Sequence, residues 1–463
     1  MQMTRRARRR TAAVAGFLAA ATVLAACSSG GGDGDGEGDG GDGGGGTASG
    51  SCTNTIRVAD APQVTVWAWY PAMEAVVDVF NEANDDVQVC WTNAGQGGDA
   101  YQAFSTTLEA GSGAPDVMMI EAEFLGQYTI RDALVDLAPY GAGELAGDYT
   151  EGAWSDVTEG DAVYAIPVDG GPMGFLVRQD IFDEYGVAVP TTWEEFAEAA
   201  QALKDAGFDG VIANFPPNWW AFVQAMAAQK GWQPFEYDSA STDIRIDIDT
   251  PEAVEVLSFW EDLVDRDLVA TDEAFTADYN ASLVDGTYAS YVAAAWGPGY
   301  LAGLSDADAD AVWRAYPLPQ WAGEEPRATN IGGSTFAVSE QADDPELAAR
   351  VAMEIFGTEE AWRIGIEEAA LFPLWRPILE SDYFADLEYP FFDGQQINRD
   401  VFLEAAAGYE GFATPPFLTY VYDQGTQQLT ALIEGNVDAA GALAALEQEV
   451  RSYAQAQGFT VIE

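Results

Sequence analysis

The chain has 463 residues, 48% hydrophobic and 12% aromatic, enough for roughly two to four domains with sizeable cores. Asp and Glu number 76 against 19 Lys and Arg, a net charge of −57, so phosphate backbones and anionic membrane surfaces are poor partners and no nucleic acid is expected. Histidine is absent, which removes Ser-His-Asp and Cys-His catalysis and every His-ligated metal site, and three cysteines cannot build a zinc finger.

The N-terminus reads as an address. Arg5, Arg6, Arg8, Arg9 and Arg10 form a positive n-region, and Ala12 to Ala26 is an apolar stretch of signal-peptide length, too short to span a membrane. It ends Leu24-Ala25-Ala26-Cys27, which resembles the lipobox of bacterial lipoproteins. The resemblance implies that residues 1–26 are a signal peptide, that Cys27 is lipidated, and that the mature chain meets the membrane through that lipid anchor only. An ordinary signal peptide with a chance Cys is the alternative, and the Arg cluster leaves twin-arginine and general secretory export both open. Removing residues 1–26 takes away five Arg and no acid, moving the net charge from −57 to −62. That acidity fits a high-salt source or a GC-rich genome equally, and identifies no function.

Residues 27–52 read as a flexible tether. Ser28 to Ser51 are nearly all Gly, Ser and Asp, cannot bury a core, and are extended by repulsion among Asp33, Asp35, Glu37, Asp39 and Asp42. The spacing of a calcium loop is missing, so no metal is expected there. With Cys27 lipidated, Cys52 and Cys90 remain; an exported chain with two thiols favours a disulfide, with two buried thiols as the alternative.

The body alternates strand and helix. Ile56–Val58, Val64–Trp69, Val87–Trp91 and Val117–Ile120 read as strands, with helical spacing at Met73, Val76, Val77 and Phe80 and over Tyr101–Ala110. The alternation predicts a parallel α/β sheet. Thr192 with Glu195 predicts a capping box, and Thr250-Pro251 and Asp344-Pro345 each predict a helix start. A last helix is predicted over Asp438–Ala456.

Ligands of open α/β sheets sit beyond the carboxyl ends of strands. Several strand ends here carry aromatic and polar groups: Trp69 after Val64–Trp67, Glu121 after Val117–Ile120, Asp169 after Tyr164–Val168, and Trp296 after Tyr288–Ala295. Trp219 and Trp220 precede an apolar helix. Flat indole faces suit the C–H faces of sugar rings, and carboxylates accept their hydroxyls; any one Trp is more often core than ligand contact.

The chain resembles the extracellular solute-binding proteins of ABC importers, of the maltose/oligosaccharide type, over about residues 53–463. PDVMMIEAEFLGQYTIRDALVDLAPY (115–140), VYAIPVDGGPMGFLVRQDIFDEYGVAVPTTWEEF (163–196), GTYASYVAAAW (286–296), IGGSTFAVS (331–339) and FPLWRPIL (372–379) match the family's motifs in order. Each motif is weak alone. The resemblance implies an α/β, two-lobed periplasmic-binding-protein-like fold of type II, with hinge-linked lobes and a ligand cleft between them. Lobe one is expected to hold 53–168 and 331–371, and lobe two 169–330 and 372–463. Carried over by position, Trp296 and Trp219 are stacking residues, although Ala294-Ala295 replaces the usual Gly-Pro before Trp296. Asp169 is a polar contact, Tyr422 an aromatic one, and Gly332 and Gly333 offer backbone N–H groups.

The implied function is a membrane-anchored, extracytoplasmic binding protein, not an enzyme. It is expected to act as a monomer without cofactor, capturing a carbohydrate and delivering it to ABC permease subunits. Two alternatives stay open: a binder of a polyamine, amino acid or iron, and a secreted glycoside hydrolase using two carboxylates.

Overall fold

The computed structural model describes residues 52–237, 241–304 and 311–462. The leader, Cys27 and the tether through residue 51 lie outside the described residues. Apolar runs bounded by turn residues form two main sheets. In the first, Gln63–Trp67 lies parallel between Gln88–Thr92 and Val117–Glu121. Ser334–Val338 then pairs antiparallel with both Val117–Glu121 and Ala165–Pro167, which completes five strands. Val117–Ile120 is buried throughout, as its unbroken apolar run demands of a central strand. In the second sheet, Met173–Arg178 lies between Ser290–Ala294 and Trp313–Pro317, antiparallel to both.

Two expectations are corrected here. The parallel pattern covers only the first three strands of the five-stranded sheet, because Ser334–Val338 returns to it from the opposite direction after a long excursion. Ile56–Val58 is not a strand. Its amides at Arg57 and Val58 donate to the side chain of Gln88, and Thr53 N–H donates to Trp91 O at 2.8 Å. The segment therefore covers the outer edge of Gln88–Thr92 without pairing as a strand, which shields an otherwise open edge. A disulfide joins Cys52 to Cys90 at this edge.

Helix starts follow the capping residues. Thr192 Oγ1 accepts from Glu195 N–H at 3.1 Å at the start of Trp193–Ala206, while Glu195 reaches back to Thr191 N–H at 2.8 Å. Thr250 and Asp344 cap Pro251–Asp265 and Pro345–Glu354. Asp438 caps Ala439–Ala456, which buries Leu443, Leu446 and Val450. No helix among the described residues is long and apolar enough to cross a membrane.

Three chain crossings lie side by side between the sheets. Val168 N–H donates to Ser334 O at 2.8 Å, and Leu374 N–H donates to Val168 O at 2.9 Å. Gly170 N–H donates to Phe372 O at 2.9 Å, Ile331 N–H to Gly171 O at 2.9 Å, and Met173 N–H to Thr329 O at 3.0 Å. Gly171 is required by this approach: a Cβ there would lie 1.9 Å from Ile331 O. These hydrogen-bonded backbone segments link the two sheets, the construction of a hinge.

Candidate ligand site

Strand ends and helix starts bring the site residues to the hinge. On the side of the five-stranded sheet, Val117–Glu121 delivers Glu121, and helix Gly98–Ala110 delivers Tyr101. Tyr101 Oη donates to Glu121 Oε2 at 2.7 Å and accepts from Glu121 N–H at 3.0 Å. Half-buried Trp69 meets the Tyr101 ring edge-on at 5.8 Å. Glu123 follows two residues on. Its Oε2 accepts from Tyr422 Oη at 2.9 Å, and its backbone O accepts from Thr414 Oγ1 at 3.1 Å. Tyr422 stands on Leu418–Ile433, which packs on helix Trp220–Ala228 and helix Ala439–Ala456.

On the side of the three-stranded sheet, Ser290–Ala294 runs into Trp296, and Trp219 caps helix Trp220–Ala228. The two rings lie 6.0 Å apart at 51°. Trp296 Nε1 donates to Ile331 O at 2.9 Å, which pins the indole to the hinge. Gly332 adopts φ +76°, and a Cβ on it would come within 3.5 Å of Trp296 Nε1 and 3.6 Å of Glu121 Oε1. Gly332 therefore lies between the indole and the carboxylate, and its left-handed backbone is what favours glycine there.

Burial dominates the electrostatics. Desolvation pushes the Glu121 carboxyl up; the Tyr101 hydrogen bond opposes it, and the Asp169 charge adds to it. Desolvation and then the neighbouring Glu121 push Glu123 up as well, against the Tyr422 hydrogen bond. Asp156, close enough to add to the rise at Glu123, is itself raised to about 6 by burial. These carboxyls therefore hold a proton to higher pH than surface acids do.

The sequence-predicted residues separate into three groups. Trp69, Glu121, Gly332, Trp296 and Trp219 form a run of neighbours, Trp69 meeting Glu121 through Tyr101, and Tyr422 joins it through Phe124. Asp169 does not join them: it is 5% exposed, and its Oδ1 accepts from Tyr70 Oη at 2.9 Å and Ser334 N–H at 3.0 Å. Burial lifts its pKa to about 6 despite these bonds. It ties the hinge strands together. Gly333 extends the pairing of Ser334–Val338 with Val117–Glu121, its carbonyl accepting from Ala122 N–H at 2.9 Å, and a Cβ on it would lie 3.1 Å from Asp169 O at the crossing. Trp220 is corrected to the core: it is 2% exposed and packs on the backbone at Gly425. Trp219 precedes the helix with non-helical backbone at φ −133°, so its side chain leaves the chain in a different direction from that of Trp220, the first helical residue.

Sequence reasoning missed Tyr101, Glu123 and Phe275. Phe275 is 46% exposed at φ +66°. Its ring stands edge-on to Trp219 at 5.2 Å and to Tyr300 at 5.6 Å, and tilted to Trp296 at 6.3 Å. A bulky residue in left-handed backbone stores strain, and such strain clusters at binding sites. Among the described residues, no group of acidic or cysteine side chains is arranged to hold a metal.

The profile described as bacterial extracellular solute-binding protein matches residues 61–361. An arabinooligosaccharide-binding protein of Halalkalibacterium halodurans is 25% identical over 291 residues, covering 59% of this chain and 63% of that protein. A lipoprotein of Streptomyces antibioticus is 29% identical over 153 residues, covering 31% of this chain and 34% of that one. The chain thus spans less than two thirds of either relative's length. A solved ABC transporter associated binding protein from B. animalis subsp. lactis, in complex with β-1,6-galactobiose, superposes with a TM-score of 0.78 at 28% identity, over 87% of this chain and 100% of that chain. The fold is the expected two-lobed, periplasmic-binding-protein-like one.

Proposed function

The chain belongs to the bacterial extracellular solute-binding protein family, and from that premise we propose that it captures a carbohydrate between its lobes and delivers it to an ABC permease. The observation that carries the reading is the Trp219–Trp296 pair, held 6.0 Å apart at the hinge with Glu121 across Gly332. Indole faces desolvate the C–H face of a sugar, and a carboxyl group beside them orients its hydroxyls.

Residues 53–168 with 331–371 form lobe one, and 169–330 with 372–463 form lobe two. Strand membership and the crossings at 168–173, 329–334 and 372–374 support those limits. The protein acts as a monomeric binder without turnover, with no cofactor. The Leu24-Ala25-Ala26-Cys27 ending and the lipoprotein relative support lipidation of Cys27 and retention on the outer face of the cytoplasmic membrane.

The test is calorimetric and fluorescence titration of the mature body with β-1,6-galactobiose, arabinooligosaccharides and spermidine. Saccharide binding that quenches or shifts Trp emission, with no hydrolysis products, is expected. Hydrolysis of the bound glycan, or binding of spermidine alone, would sink the reading.

A further inference from the structure

Two stretches assigned above to lobe one, 121–127 and 150–156, meet residues 409–422 of lobe two along one seam. Tyr422 Oη donates to Glu123 Oε2 at 2.9 Å, Thr414 Oγ1 to Glu123 O at 3.1 Å, and Thr419 Oγ1 to Gln127 Oε1 at 2.7 Å. Phe124 meets the Tyr422 ring edge-on at 5.7 Å. Further along, a Cβ on Gly152 would lie 3.6 Å from Tyr409 O, and one on Gly411 would lie 3.7 Å from Asp156 Oδ1. The covering of Glu123 and Asp156 thus comes from the opposite lobe, and parting the lobes would return both side chains to water.

The titratable groups along the seam carry one sign. Glu123 stands in the field of Glu121 and Asp156, with Tyr422 as its partner, and Glu121 adds Tyr101 and the charge of Asp169. The charges of Asp156 and Glu123 both reach Tyr409. Asp423, next to Tyr422, is exposed. The nearby cations are engaged elsewhere: Arg327 lies 4.0 Å from Glu410, and Arg131 acts on Tyr128. Among the described residues, no Lys or Arg pairs with Glu121, Glu123 or Asp156.

Closing the seam therefore takes carboxylates out of water and toward one another with no cation to offset them. Protonation removes both costs, since a neutral carboxyl is cheap to cover and gains a hydrogen-bond donor. Resting on the capture reading above, we propose that closure of the lobes on a ligand takes up protons at Glu123 and Asp156, so that capture is tighter in an acidic medium and release is easier in an alkaline one. The raised titration of both groups in this structure, caused first by burial, has the sign this requires. In the parted lobes the same groups would titrate near 4, so between that value and their raised ones closure consumes protons and affinity falls as pH rises.

The experiment titrates the mature parent with β-1,6-galactobiose and arabinotriose at pH 5.5, 6.5 and 7.5. At pH 6.5 the calorimetry is repeated in two buffers of different ionisation enthalpy, which counts the protons exchanged on binding. The parent should bind at least one of these sugars, about tenfold more weakly at pH 7.5 than at pH 5.5, with net proton uptake. Asp156→Asn is near-isosteric and stays neutral at every pH. It should match the parent at pH 5.5, lose no more than about threefold by pH 7.5, and take up fewer protons. Glu123→Gln gives the same two readouts, slope and proton count, should Asp156→Asn fail to fold. Parent affinity that stays flat across this range, with no buffer-dependent heat, would overturn the proposal while leaving saccharide capture intact. A pH slope and proton uptake that both variants keep undiminished would also overturn it, since other groups would then carry the linkage. A parent that binds neither sugar at any pH would remove the capture reading, and proton-linked closure with it.

Discussion

On lobe one, the cleft presents carboxyls already held by tyrosines: Glu121 by Tyr101 at 2.7 Å and Glu123 by Tyr422 at 2.9 Å. On lobe two, it presents the rings of Trp219, Trp296 and Phe275, 5.2 to 6.3 Å apart and tilted or edge-on to one another. A ligand hydroxyl that approaches the first face exchanges one hydrogen bond for another and gains little net free energy. A ligand ring that covers the second face removes apolar surface from water with nothing to displace but solvent. On the proposed reading, this difference gives affinity to lobe two and orientation to lobe one.

The sharpest way to break that assignment uses two neighbouring tryptophans of different kind. Trp220→Ala should lower stability by about 3–5 kcal/mol, because it empties a core site against Gly425. Trp296→Ala should keep its melting temperature to within a few degrees and lose about 1–3 kcal/mol of affinity, about 5- to 150-fold, taking base–aromatic stacking as the guide. Thermal melts and titrations on both variants check this. A Trp296→Ala protein that melts far lower, or still binds at full strength, would return that indole to the core.

Lobe one is best probed by pH. Burial raises Asp156 and Asp169 to about 6 and raises Glu121 and Glu123, whereas unfolded carboxyls titrate near 4. Glu123 reaches about 8, so from about pH 4 to about pH 8 the folded protein binds more protons than the unfolded chain and stability falls as pH rises. Taking the pH from 7.5 to 5.5 should therefore raise the melting temperature, with a gain on the order of 1–2 kcal/mol. Acids with depressed values, such as Asp86 and Asp180, lose their stabilisation only at lower pH and leave this interval clean. Asp156→Asn should flatten the slope; a melting temperature that falls on acidification would show that burial does not govern these groups.

The link between the faces is smaller in effect. Tyr422→Phe deletes the hydrogen bond to Glu123 and leaves that carboxyl with a poorer partner. The cost is about 1 kcal/mol of closure, read as a three- to tenfold weaker affinity and a larger radius of gyration for the free protein in small-angle scattering. An unchanged radius and affinity would show that this bond takes no part in closure.

Much of this was legible in the residues, for reasons that also explain the gaps. Trp296 and Glu121 stand where strand periodicity ends in polar or aromatic residues, and that position is a physical signal. Trp219 and Trp220 look alike in sequence, and only the helix phase, set by packing against Gly425, sends one to the cleft and the other to the core. Ile56–Val58 has strand propensity, but the side chain of Gln88 takes the amides a strand would pair. Among 76 acids, Glu123 could not be singled out, because its importance comes from burial against Tyr422 and Glu121.

Phe275 is the extreme case of illegibility, since no sequence rule places a phenylalanine at φ +66°, and it offers the finest test of the comparison. Were it only packing, removing its ring would lower stability, as for any aromatic held against Trp219 and Tyr300. Were it instead kept strained to complete the sugar-facing surface, Phe275→Gly should release roughly 1 kcal/mol of backbone strain and offset the lost ring contacts, leaving the melting temperature unchanged or about a degree higher. Phe275→Ala keeps the strain and loses the ring, so it should melt below Phe275→Gly. Both variants should bind glycan a few-fold more weakly, by the same factor, because the ring is absent from each. Equal melting temperatures for the two variants would dispose of the strain, and undiminished affinity in both would confine the lobe-two surface to the tryptophans alone.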